Sequence, residues 1–313
     1  MRRRYALSQL AAFGWLGLLS LLEDRVPVFR WFALFYLVFL LQGVELLMQG
    51  ARGLVGLLRW NRDRSPTLPP LTVRRVLGYY ASHLFVLLNP WILMQSLLMM
   101  AGQLLALPRV VRRAASLERS KVAGYILPFT GTWTVAQGGI TPDTSHSWDI
   151  PNQRYAYDFI ITDEEGRSHR GDGGRLNDYY CFGRDILAPK DGVVVDVRDG
   201  ERDFPYPGTG MLDPLARDAR GNYVLIRHGP KEYSPLAHLQ RGSIRVRPGE
   251  PVRQGQVVGR CGNLGHSTEP HLHFHVEDHP SFYFGAGIPV IFDGYGFLST
   301  GDRIVGLRMG AET

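Results

Sequence analysis

Asn263-Leu264-Gly265-His266-Ser267-Thr268-Glu269-Pro270 leads directly into His271-Leu272-His273-Phe274-His275. On a β-strand alternate residues share a face, so His271, His273 and His275 point the same way. Three imidazoles on one face are costly in a core. They suit a metal site, because neutral imidazole nitrogen is a preferred zinc ligand. The bland alternative is a polar strand face whose histidines are hydrogen-bonded or solvated.

The sequence before this strand has the same β character. Ala188-Pro189-Lys190-Asp191 precedes a strand over Gly192–Val197, and a second strand runs over Asn222–Gly229. Ser243–Arg247 and Gln256–Arg260 read as strands flanking the turn Pro248-Gly249-Glu250-Pro251. Strands at this spacing, punctuated by Gly and Pro, predict an antiparallel β-sandwich or barrel-like fold. No helix longer than two turns is expected after residue 125, and neither repeats nor low-complexity tracts stand out.

The composition changes along the 313 residues. Residues 1–107 are rich in Leu, Phe, Met and Trp with few acids, whereas the chain from Tyr125 onward has the make-up of a soluble domain. The formal charge of +6 comes largely from arginine clusters beside the apolar runs: Arg2 to Arg4, Arg59 to Arg64, Arg74-Arg75 and Arg109 to Arg119. Basic clusters flanking apolar runs are topology signals, so the charge is not read as nucleic-acid binding. The two cysteines, Cys181 and Cys261, exclude a disulfide framework and a Cys-only metal site.

Three apolar stretches precede the soluble part: Tyr5–Leu22, Trp31–Met48 and Val76–Leu107, the last interrupted at Asn89-Pro90. A bilayer core takes about 20 apolar residues. The first two fit a helical hairpin joined by Glu23-Asp24-Arg25-Val26-Pro27, and the third either a kinked span or an amphipathic helix on the surface. Glu23-Asp24-Arg25 stands where a signal peptide would carry small residues, so the first stretch is expected to be retained. Arg2 to Arg4 place the N-terminus inside; a third span then carries the C-terminal domain outside, and two spans leave it inside. The expected organisation is a membrane region over 1–107 with two or three transmembrane helices, a basic linker over 108–124, a catalytic domain over 125–295 and a tail over 296–313. The expected location is the cell membrane, multi-pass, with the catalytic domain extracytoplasmic.

Five blocks in order resemble the M23 (LytM/lysostaphin-like) metallopeptidases. They are Ala188–Val194, Gly221–Ile226, Leu236-Ala237-His238-Leu239, Val252–Gly259 and Pro270-His271-Leu272-His273-Phe274. The resemblance covers about residues 125–295. It implies an all-β catalytic domain of the duplicated hybrid-motif type that cuts peptidoglycan peptides by a zinc-activated water attacking a peptide carbonyl. Carried over by position, it implies Asp158 and His273 as zinc ligands, His271 as general base and His238 as hydrogen-bond donor to the oxyanion. Where the family has its first ligand, four residues before the aspartate, this chain has Arg154, which cannot bind zinc. His146 is the nearest substitute and His169 the second. His275 is taken as a supporting residue, and His228 and His266 as loop residues.

The resemblance also implies a peptidoglycan peptide substrate; the apolar stretches imply a membrane partner, the charge pattern no nucleic acid, and oligomeric state is not legible. The loops Gly166–Leu176 and Gly200–Arg220 are expected as groove walls. The main alternative is a degenerate LytM-like domain that binds the wall or activates a separate amidase. A phosphocarrier domain is disfavoured by the His-x-His pair, and a lipoyl-type carrier by the lack of a modifiable lysine in the Pro248–Gly255 hairpin.

Overall fold

The computed structural model describes residues 72–307, apart from 87–88 and 115–119, together with Met48, Val55, Leu57, Asn61 and Arg62. The expected spans Tyr5–Leu22 and, Met48 aside, Trp31–Met48 lie outside the described residues. The third apolar stretch is two helices, α1 (Val73–Val86) and α2 (Pro90–Ala114). Asn89-Pro90 separates them for a local reason. The Asn89 side chain accepts hydrogen bonds from the amides of Trp91 (3.0 Å) and Ile92 (3.4 Å), while Pro90 occupies the first helical position, where no amide is needed. Among the described residues one helix, Pro90–Arg113, is long and apolar enough to cross a membrane.

The rest is mostly antiparallel β, as expected. The strands are β1 (Val122–Tyr125), β2 (Thr132–Gly138), β3 (Tyr157–Ile160), β4 (Asp185–Leu187), β5 (Gly192–Arg198), β6 (Tyr223–Gly229), β7 (Glu232–Ala237), β8 (Pro251–Val252), β9 (Val257–Arg260), β10 (Leu272–Phe274), β11 (Val290–Phe292) and β12 (Arg303–Val305). Eight form one sheet in the order β12-β2-β3-β10-β7-β6-β5-β8. β4 pairs with β9, and β1 pairs in parallel with β11. β12 and helix α2 fall partly or wholly in the ranges 296–313 and 108–124: β12 pairs with β2, and α2 continues past Pro108.

Two sequence expectations are corrected. Ser243–Arg247 is not a strand: it makes one backbone bond towards β9, from the Arg245 amide to the Val258 carbonyl (3.0 Å), too few for a ladder. His228 lies in strand β6 rather than in a loop.

The core follows the period-2 rule. Leu272 and Phe274 of β10, and Tyr157 and Phe159 of β3, enter one apolar cluster with Phe129, Trp133 and Phe292. Phe129 stacks on Trp133 with ring centroids 4.5 Å apart, and Phe274 meets Phe292 at 5.7 Å. The residues between them, His273 and Asp158, therefore face away from this core. Register then makes them neighbours: His273 is directly opposite Asp158 on one side and Ala237 on the other, and His238 follows Ala237 at the end of β7. Cys181 and Cys261 are free and buried.

Candidate active site

Asp158 is the hub. Its Oδ1 accepts a hydrogen bond from His273 Nδ1 (2.8 Å) and lies 3.6 Å from His271 Nε2, while its Oδ2 lies 3.3 Å from His146 Nε2. Burial alone would raise this carboxyl, but His146, His271 and His273 together hold it well below the usual carboxylate range. His273 is buried, and burial lowers its pKa despite the Asp158 bond. The hub thus sets an ionised carboxylate within 3.6 Å of three imidazole nitrogens.

His146 reaches the site because the segment before β3 folds back on itself. Ser145 Oγ donates to the Arg154 carbonyl (2.8 Å) and Ser147 Oγ to the Gln153 carbonyl (2.6 Å), so both neighbours of His146 are tied to the chain entering β3. Arg154 closes the loop: its Nε donates to the Trp148 carbonyl (2.9 Å), and its guanidinium sits 4.7 Å from the centre of the Trp148 ring. The arginine that occupies the family's ligand position thus fastens the loop that carries another histidine inward. His169, the second substitute, is not brought to the site; its ring packs against Tyr179 at 5.1 Å.

His271 Nδ1 donates to the Glu269 carbonyl (2.8 Å), which leaves the lone pair on Nε2, the nitrogen nearer Asp158. His238 is 5 % exposed and has φ 63°. A non-glycine residue in the left-handed region costs about 1–2 kcal/mol, and such strain clusters at functional sites. Here it is held by two backbone bonds, from the His238 amide to the Arg220 carbonyl (3.0 Å) and from the Gly262 amide to the His238 carbonyl (2.9 Å). The turn brings the His238 ring to 4.6 Å from that of His271. Burial, helped by His271 and His273, pushes His238 well below its ordinary pKa, so it is neutral.

Behind His273 the polar chain continues. His273 Nε2 is 3.2 Å from His275 Nδ1, and His275 Nε2 is 3.9 Å from Glu277 Oε2. Both outer groups are buried. Burial pushes His275 down to about 3 and Glu277 well up.

The five residues singled out from the sequence, His146, Asp158, His238, His271 and His273, all line one cavity of about 360 Å³. Of the two loops expected as walls, Gly200–Arg220 contributes Leu212, Ala219 and Arg220. Gly166–Leu176 contributes none among the described lining residues. Lining residues that the sequence reading did not place at the site include Tyr79 on α1, Gln153, His266 and Phe282. Arg220 sits between Tyr223 (3.8 Å to the ring centre) and Phe282 (4.9 Å), and is ion-paired with Asp218 at 2.8 Å. His266, in the loop just before His271, carried a usable signal; nothing local marks Tyr79.

The donor set fits a metal ion. His146, Asp158 and His273 each offer an atom within 4.8 Å of the others, and so do His238, His271 and His273. Two imidazoles and one carboxylate form a known catalytic zinc set, and the first group holds the anionic charge that favours a cation.

The chain is similar to known proteins over part of its length. The chain is 34% identical over 111 residues to peptidoglycan DD-endopeptidase ShyA of Vibrio cholerae, covering 35% of this chain and 21% of ShyA. It is 46% identical over 68 residues to peptidoglycan DD-endopeptidase ShyC of the same organism, covering 21% of this chain and 15% of ShyC. The matches thus span at most about a fifth of these relatives' length. A solved zinc-containing peptidase from Vibrio cholerae aligns at 22% identity and TM-score 0.31, covering 49% of this chain and 36% of that one. Residues 178–282, about a third of the chain, match the model of Peptidase family M23.

Proposed function

We propose that the chain is a zinc-dependent endopeptidase acting on the peptide part of peptidoglycan. The observation that carries this reading is the convergence of His146, Asp158, His238, His271 and His273 on one cavity of an M23 domain. The names of ShyA and ShyC supply the substrate class.

In this reading His146, Asp158 and His273 hold the zinc, which when bound polarises the scissile carbonyl and acidifies a water. His271 takes the water's proton on Nε2, the nitrogen that its Glu269 bond leaves unprotonated. Neutral His238, fixed by its left-handed turn, donates a hydrogen bond to the oxygen of the attacked carbonyl as charge builds there. A preorganised donor of this kind is worth about 3 kcal/mol. The apolar residues before the domain anchor it at the cell membrane, and the domain faces outward, where its substrate lies.

The test is zinc content and muropeptide release by the purified full chain, in wild type and in His146→Ala, Asp158→Ala, His273→Ala, His238→Ala and His271→Ala. The reading expects about one zinc per chain, lost in the first three variants. The last two should keep the metal and lose activity. A wild type that binds no zinc in metal-replete buffer, or that leaves peptidoglycan intact, would overturn it.

A further inference from the structure

Helix α2 is oriented opposite to the surface helix of a globular protein: its polar side faces the domain and its apolar side faces out. Asn89 Nδ2 donates to the carbonyls of Pro214 (3.0 Å) and Ala216 (2.6 Å). Gln95 Oε1 accepts from the Ala219 amide (3.0 Å), and Gln95 Nε2 donates to the Arg217 carbonyl. One helical face further on, Ala106 and Val110 pack on Ala286. Arg109 and Arg113 pair with Asp278, Arg113 at 2.9 Å, and Arg113 also donates to the Ala286 carbonyl (2.7 Å). On the opposite side Met94, Leu104, Leu105, Leu107 and Val111 are 52–72% exposed. Helix α1 repeats the arrangement: Arg75 binds Glu269 and Ser82 Oγ accepts from the Leu212 amide (3.1 Å), while Val73 and Leu77 are exposed.

We infer that the outer face of α2 seats in a lipid surface with the helix axis parallel to the bilayer. Contacts to the domain run from Asn89 to Arg113, about 36 Å of helix at 1.5 Å per residue. A hydrocarbon core is about 30 Å thick. If α2 crossed it, the docked loops, their carbonyls and the Arg109–Asp278–Arg113 cluster would cross it too, which irregular backbone in lipid does not tolerate. An in-plane helix escapes this conflict: its apolar face enters the acyl boundary and its polar face stays with the domain.

Charge fits the same occupant. Residues 73–114 contain no Asp or Glu, and Arg74 and Arg112 are exposed, which suits anionic headgroups. Two further apolar runs flanked by arginines precede this region in the chain. The inference takes the surface-helix alternative for the third apolar stretch, so an outward-facing domain needs an odd number of crossings before residue 72. It also has a consequence for the site. Ile92, Met99 and Gln103 of α2 line a cavity together with Gln153, His266 and Phe282, and these last three also line the candidate active site. The site is thereby held about one helix diameter, roughly 10 Å, from the bilayer surface.

The experiment uses the full chain in vesicles of phosphatidylethanolamine and phosphatidylglycerol. Met94→Cys, Leu104→Cys and Val111→Cys are each labelled with an environment-sensitive fluorophore. The native protein, whose two cysteines are buried, is the labelling control. Quenching by lipids carrying the quencher at a shallow or a deep acyl position reports depth. The expected result is lipid quenching at all three positions, stronger from the shallow quencher and with one common shallow-to-deep ratio. A ratio that changes steadily from 94 to 111 would mean a crossing helix. No lipid quenching would mean a face covered by protein, whether a second copy or the rest of the chain. Either outcome overturns the inference, and neither bears on the zinc chemistry.

Discussion

At the scale of single residues, the site depends on side chains whose roles are set by what surrounds them. Arg154 illustrates this: as a ligand it would be useless, but bonded to the Trp148 carbonyl and laid over its ring it fixes the loop bearing His146. Arg154→Ala is expected to weaken zinc affinity roughly 10–100-fold, the usual loss when a ligand's supporting partner is removed, as read by competitive metal titration. Arg154→Lys should not restore it, since lysine lacks the planar group that stacks and donates together. His238 gives a complementary case. Asparagine tolerates the left-handed backbone at φ 63°, so His238→Asn should keep fold and zinc content while muropeptide release falls about 100–1,000-fold. Loss of zinc in that variant would place His238 among the ligands instead. Asp158, His238, His271 and His273 could be picked from the sequence because the motifs around them were legible. The choice between His146 and His169 could not, because it depends on two serine–carbonyl bonds and one arginine–carbonyl bond that no spacing rule encodes.

Among the secondary-structure elements, β10 shows how a three-residue strand serves two purposes. Leu272 and Phe274 fill the core, and the same alternation turns His273 towards Asp158. Period-2 patterning made this visible in advance, whereas Ser243–Arg247 has similar alternation and only one backbone bond towards β9, because a pattern by itself does not set the pairing. The α2 docking can be tested through Gly102, where an added Cβ would run into the Tyr283 carbonyl. Gly102→Val is expected to destabilise the full chain by roughly 1–3 kcal/mol, read as a lowered thermal midpoint, with zinc content of the folded protein unchanged. An unchanged midpoint would show that the 283–286 loop moves aside freely.

For the whole molecule, stability should depend on pH through neutral histidines that folding withdraws at least partly from water. His228 donates from Nδ1 to the Asp191 carbonyl (2.8 Å) and contacts Ser234 Oγ through Nε2 (2.7 Å), and burial lowers its pKa. The unfolded chain, with an ordinary imidazole near 6.5, then binds the proton more readily than the folded one. The stabilisation is therefore complete above about pH 6.5 and is lost as pH falls towards the folded pKa, by up to about 1.4 kcal/mol per pH unit for one histidine. Urea midpoints at pH 7 and pH 5 should differ more for wild type than for His228→Gln. An equal pH effect in the two proteins would remove His228 as a contributor. Buried Glu277, whose pKa is raised, opposes this trend at higher pH, because deprotonating it favours the unfolded chain.

Sequence alone determined the β class of the domain and the apolar character of the N-terminal third, because each is a pattern along the chain, and it carried the family resemblance in five ordered blocks. Only tertiary structure decided which histidine stands beside Asp158, that Arg220 and Tyr79 line the same cavity, and which side of α2 is taken by the domain. Those outcomes depend on packing between segments tens to hundreds of residues apart. A helix with one polar and one apolar face has the same sequence pattern whichever face is turned inward.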